Sequence, residues 1–192
     1  MPIKIMQDGG IVFAKQRAKE DIAARRLSRE THVVNDYERL MKEVLLERGI
    51  DSYYELHLFP VSNNNGYLPD FVTCMRVDGR FVVFEMHSSA EWSYILKLEK
   101  FSAIYQFYTV LVSKHGYDRR SEKISNEIGG YWYLPNGVSD PAEYSKKKKE
   151  LAGMVEEFIR EKNPEILTYA EAENELKRRI DFIEVLFGQR RK

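Results

Sequence analysis

No stretch constrains this chain more than residues 68–89, LPDFVTCMRVDGRFVVFEMHSS. Asp78-Gly79 suits a tight hairpin turn, because both positions tolerate positive φ and the turn's twist matches that of the flanking strands. The pair therefore predicts two short antiparallel strands. The second contains Phe81-Val82-Val83-Phe84, an apolar run that fits a strand buried on both faces. A strand of that kind needs cover above and below it.

Against this apolar background the polar residues carry the information. Successive side chains of a strand alternate sides, so Glu85 and His87 leave the same face about 6.5 Å apart. Asp70 stands at the head of the first strand, directly behind Pro69. A charge at the end of a buried strand costs several kcal/mol unless it is paired or ligated. Asp70 and Glu85 converging there make an oxygen-rich site of the kind that magnesium or manganese occupies.

Pro69-Asp70, the spacer, Glu85 and then a residue two positions on resemble the PD-(D/E)xK nuclease superfamily, with His87 where that family usually has lysine. The resemblance spans about residues 35–116 and implies a restriction-endonuclease-like fold: an α/β domain with a central mixed sheet flanked by helices, here with additional C-terminal helices. It also implies a Mg2+ cofactor, with Mn2+ as the alternative, held by Asp70, Glu85 and the main-chain carbonyl of Met86. Nucleic acid is the implied substrate, DNA ahead of RNA, and the implied activity is that of a Mg- or Mn-dependent deoxyribonuclease, as an endonuclease. His87 leaves three cases open: a functional replacement for the lysine, relocation of that lysine to Lys97 or Lys100, or lost cleavage with retained binding. The competing reading is therefore a catalytically inactive nuclease-like module that binds nucleic acid or a partner protein.

The preceding segment contributes a third acid. Asn35 or Asp36 can cap a helix whose apolar stripe is Leu40, Met41, Val44 and Leu45, with Glu38 in a capping-box position and Gly49 as the stop. Glu38 lies at the border of that stripe, from where it can reach a polar site on the sheet, whereas Glu43 and Glu47 point elsewhere. Glu38, Met41, Leu45 and Gly49 also fit the spacing of the first core helix in the resembling family, which implies a metal-site role for Glu38. The simpler role for Glu38 is to cap its own helix.

Residues 52–60, SYYELHLFP, predict one strand with Tyr53, Glu55, His57 and Phe59 on one face and Tyr54, Leu56 and Leu58 on the other. Residues 63–66 predict a polar turn. A long helix is expected from Ala90 to about Lys114, with Trp92, Ile95, Leu96, Ile104, Tyr105, Tyr108, Leu111 and Val112 on a broad apolar face. A strand is expected over residues 130–134, its aromatics packing in the core or stacking on bases. Two helices follow, one from about Pro141 to Glu161 bearing Lys146 to Lys149, the other capped by Thr168 and Glu171. They supply either an extra layer or a homodimer surface.

The domain reading is thus a basic N-terminal extension over residues 1–34, a nuclease-like core over 35–140, and a C-terminal helical layer or dimerisation element over 141–192. Thirty basic residues balance thirty acidic ones, which argues against a protein that coats DNA but not against one that handles it locally. Positive charge is concentrated in residues 1–31 and at the C-terminal end; the basic residues within 15–29 and the run Lys146 to Lys149 are each either phosphate contacts or ordinary solvated surface. Cys74 is the only cysteine, so no intrachain disulfide forms. No apolar run reaches the roughly 20 residues of a membrane span, and the expected location is cytoplasmic, or the host cytoplasm if the protein is viral. Glycine-rich phosphate loops, serine elbows and zinc-spaced Cys/His clusters are absent from the sequence, which leaves those enzyme classes without support.

Overall fold

The computed structural model describes residues 36–57, 59–62, 65–88, 91–114, 128–134 and 140–189. The basic segment before residue 35, the proposed cap Asn35 and the turn at 135–137 lie outside the described residues. The first helix, α1, spans Asp36–Glu47. Leu40, Met41, Val44 and Leu45 are fully buried along one side of it, and the chain leaves through Gly49 at φ +66°, a conformation that a side chain would strain. Short strands β1 (Ser52–Tyr54), β2 (Phe59–Ser62) and β3 (Asn65–Tyr67) follow. The hairpin then forms from β4 (Phe71–Val77) and β5 (Arg80–His87), turning on Asp78 and Gly79 at φ 51° and 72°.

Helix α2 (Trp92–Tyr105) leads into β6 (Phe107–Ser113), and β7 is Gly129–Tyr133. Helix α3 (Pro141–Lys162), the two-residue strand β8 (Glu165–Ile166) and helix α4 (Tyr169–Gln189) complete the described chain. Among these residues the main sheet has the order β1-β4-β5-β6-β7, with β8 pairing β4; β2 and β3 form a separate hairpin. The β1–β4, β4–β5 and β4–β8 pairs are antiparallel, while β5–β6 and β6–β7 are parallel. The architecture is an α/β mixed sheet flanked by helices.

Alternation along the strands sorts the core into two layers. Phe71, Met75, Val82, Phe84, Met86, Val110 and Val112 face α1 and α3, meeting Leu40, Val44, Leu151, Val155 and Phe158. Val72, Cys74, Phe81, Val83, Phe107 and Leu111 face α2 and α4, meeting Leu98, Phe101, Ala172 and Leu176. The two C-terminal helices are therefore divided between the faces of the sheet, one completing each layer. None of the described helices is long and apolar enough to cross a membrane.

Two expectations fail. The helix expected to run to Lys114 ends at Tyr105, where Gln106 takes the left-handed conformation (φ 56°, ψ 47°) and its N–H closes on the carbonyl of Ser102. Every residue from Phe107 to Ser113 is buried, so this segment is apolar on all sides and its pattern fits a helix or an interior strand equally. Parallel pairing along the whole of β5 makes it a strand. The single strand expected over 52–60 is likewise broken, because Glu55 turns left-handed at φ 46° and gives its N–H to the carbonyl of Asp70 at 2.9 Å. Glu55, His57 and Phe59 consequently do not share a strand face with Tyr53.

Candidate functional site

The register of the hairpin builds the site. Phe71 pairs with Phe84, so one step outward Asp70 stands opposite Glu85 at the end of the sheet. Two like charges directly opposite repel, and the arrangement is held by main-chain donors on both sides. The N–H of Asp70 donates to Oε2 of Glu85 at 3.1 Å, and the N–H of Met86 donates to Oδ2 of Asp70 at 2.7 Å. The carbonyl of His87 accepts from the N–H of Lys114 on the β6 side. Carbonyls alternate sides along a strand, so that of Met86 faces β4 and the same acid pair.

Glu85 points into the α2 layer and is 4% exposed. There the hydroxyl of Tyr94 donates to its Oε1, and the buried hydroxyl of Tyr67 also bears on it. Burial holds the carboxyl of Glu85 above the ordinary range, against the lowering influence of the two tyrosines and the Asp70 N–H. Asp70 is raised too, first by burial and next by the charge of Glu85, with the Met86 N–H opposing and Glu38 and Glu55 adding to the rise. Neither acid meets a Lys, Arg or His side chain in an ion pair among the described residues. Burial and mutual repulsion without a counter-cation are relieved by bound positive charge, and hard carboxylate oxygens suit a hard divalent ion.

Glu38 comes from the other side of the sheet, at the N-terminal end of α1. It is 8% exposed, accepts a hydrogen bond from the hydroxyl of Tyr54 at 2.5 Å, and stands near enough for its charge to raise both Asp70 and Glu85. The structure thus sets Asp70 and Glu85 together as a pair with Glu38 beside them. Among the described residues no group of three or more His, Cys, Asp or Glu side chains is arranged to hold a metal ion.

The ring of His87 stacks on that of Tyr94, centroids 3.7 Å apart and planes 9° from parallel. Burial lowers its pKa, the charge of Glu91 opposing this and that of Lys97 adding to it, so the ring is neutral at pH 7. Lys97 lies over the ring of Tyr67, its Nζ 5.5 Å from the centroid, which puts its positive charge next to the tyrosine that bears on Glu85. Lys100 is exposed on the same helix.

Tyr94, Tyr67 and Tyr54 were not legible as site residues in the sequence. A signal for Tyr94 existed: it precedes Lys97 by three positions, one helical turn, so the two share a face. Within the run Lys146 to Lys149, Lys146 and Lys149 are exposed, whereas Lys147 and Lys148 are engaged by acids. Lys148 binds Glu43 at 2.8 Å and Glu47 at 2.6 Å, and Lys147 is 7% exposed and bonded to Glu150. Cys74 is buried in the α2 layer, as an ordinary core residue. Comparisons of the chain with protein-family models, with curated proteins and with solved structures return no match.

Proposed function

We propose that the protein is a divalent-metal-dependent nuclease that hydrolyses phosphodiester bonds, in DNA ahead of RNA, at the end of the sheet where β4 and β5 begin and finish. The observation that carries this reading is the pairing of half-buried Asp70 with buried Glu85, with no cationic partner among the described residues. Asp70, Glu85 and the Met86 carbonyl would hold Mg2+ or Mn2+, with Glu38 as the third acid. Bound there, the ion supplies an activated water and charge to offset the phosphoryl oxygens. Tyr94 and the Asp70 N–H fix the two oxygens of Glu85, each from a different side. Lys97, over the ring of Tyr67, would balance phosphate charge, with His87 stacked on Tyr94.

The competing reading, an inactive nuclease-like module that binds nucleic acid or a partner protein, is favoured by one observation: the oxygens of Glu85 already have protein donors. A cleavage assay separates the two. Plasmid, linear, single-stranded and branched DNA, with RNA alongside, are incubated with Mg2+ or Mn2+ and either the native chain or Glu85→Gln, which keeps the shape of the side chain. Metal-dependent cleavage by the native chain alone supports the nuclease. Equal residual activity in both proteins sinks the proposed site.

A further inference from the structure

Two large aromatic side chains near the end of the sheet that carries the acid pair have much of their surface open: Trp92 is 44% exposed and Tyr133 is 50% exposed. Isolated exposed aromatics are ordinary on a protein surface, so their placement is what matters. The parallel registers align His87 with Ser113 and Ser113 with Tyr133. These residues form a row across the ends of β5, β6 and β7, about 10 Å from first to last at the usual strand spacing. In-register residues of parallel strands point to one face, here the face of Glu85. Trp92 opens α2 on that face, two positions before the tyrosine that holds Glu85.

The exposure of Tyr133 is specific to it. Its neighbour Trp132 packs against Phe84 and Phe158 at 5.3 and 5.9 Å, and Tyr131 packs against the α2-layer core. Lys97 and Lys114 bring positive charge to the same end of the sheet, and Glu91 is the acid near His87. An exposed ring offers a face, and a face is complementary to an unstacked base; in a duplex the base faces are covered and only edges and phosphates are presented. Away from this rim, Lys147 and Lys148 are already engaged by Glu150, Glu43 and Glu47, which takes them out of any phosphate-binding surface.

We propose that this rim takes single-stranded nucleic acid, with bases stacked on Tyr133 and Trp92 at the end of the sheet that carries the acid pair. The proposal rests on the nuclease reading of that pair for its function, yet binding is measured apart from cleavage. Fluorescence anisotropy with labelled single-stranded DNA, single-stranded RNA and duplex DNA of one sequence is recorded in EDTA. Single strands bind more tightly than the duplex, and the tighter of the two single strands names the sugar. Tyr133→Ala and Trp92→Ala each weaken single-strand binding by about 5- to 150-fold, the range for loss of one base stack. Tyr133→Trp, which keeps an aromatic face, retains it. Duplex binding as tight as single-strand binding overturns the proposal, and so does a Tyr133→Ala protein that binds like Tyr133→Trp. Stacking without any cleavage would leave this inference standing and remove the nuclease reading. Duplex cleavage indifferent to Tyr133 would do the reverse.

Discussion

In the proposed nuclease reading, His87 stands where the pattern carries lysine. Its ring lies flat on Tyr94, whose hydroxyl holds Glu85, and on the proposed reading His87 would act on the acid through the tyrosine. A ring of any chemistry serves that purpose. In the cleavage assay His87→Phe therefore keeps its activity and the pH profile of the native chain, while His87→Ala loses about tenfold, the scale of an indirect contact to a metal ligand. If the phenylalanine variant is as poor as the alanine variant, imidazole chemistry is needed and the stacking role is wrong. A second histidine makes a pH prediction. Burial lowers the pKa of His57 to about 4, and its ring meets Phe59 edge-on at 4.9 Å. Unfolded histidine takes up a proton near pH 6.5, so below that the unfolded chain binds more protons and stability falls as the pH drops toward 4. Denaturant melts at pH 7.5 and pH 5 should show a smaller loss for His57→Leu than for the native chain. The turn residues Asp78 and Gly79 and the acids Asp70 and Glu85 were legible because each needs only local geometry. Tyr94 was not, since nothing local says which way a helical tyrosine faces.

At the scale of elements, the boundary between α2 and β6 is the instructive one. Gln106 holds a left-handed conformation that glycine adopts without the Cβ penalty, and its carbonyl accepts from Arg179 of α4. Gln106→Gly should raise stability by about 1 kcal/mol, read as a later denaturant midpoint with an unchanged slope. A lower midpoint would show that the side-chain bond from Gln106 to the Ala103 carbonyl outweighs the backbone strain. The amphipathic elements were readable in advance: α1 from its apolar stripe, and the start of α4 from Thr168 and Glu171, whose side chains and main chains exchange hydrogen bonds at 2.9 and 3.3 Å. Segment 107–113 was not, because burial on every side erases periodicity. Segment 52–60 misled for a different reason, a left-handed Glu55 inside an otherwise alternating pattern.

Across the whole molecule, the hairpin is the central member of a sheet closed by α1 and α3 on one face and by α2 and α4 on the other. The acid pair sits at the end of that sheet, reached by the start of α1, the start of α2 and the finish of β5. A ligand that binds only this assembled arrangement stabilises the entire fold. Mg2+ or Mn2+ at about 100 times its Kd should add about 2.7 kcal/mol to the native chain and little to Glu85→Gln, checked by thermal melts with and without EDTA. Equal shifts in both proteins would place the ion elsewhere. The hairpin, its two acids and the helices with one apolar side follow from local residue order, since each is written in spacings of a few residues. Tertiary contacts were needed to make 107–113 a strand, to set His87 on Tyr94, and to pair Lys148 of α3 with Glu43 and Glu47 of α1. Those outcomes depend on which segments become neighbours, and pairing partners far apart in the chain leave no periodic trace in either one.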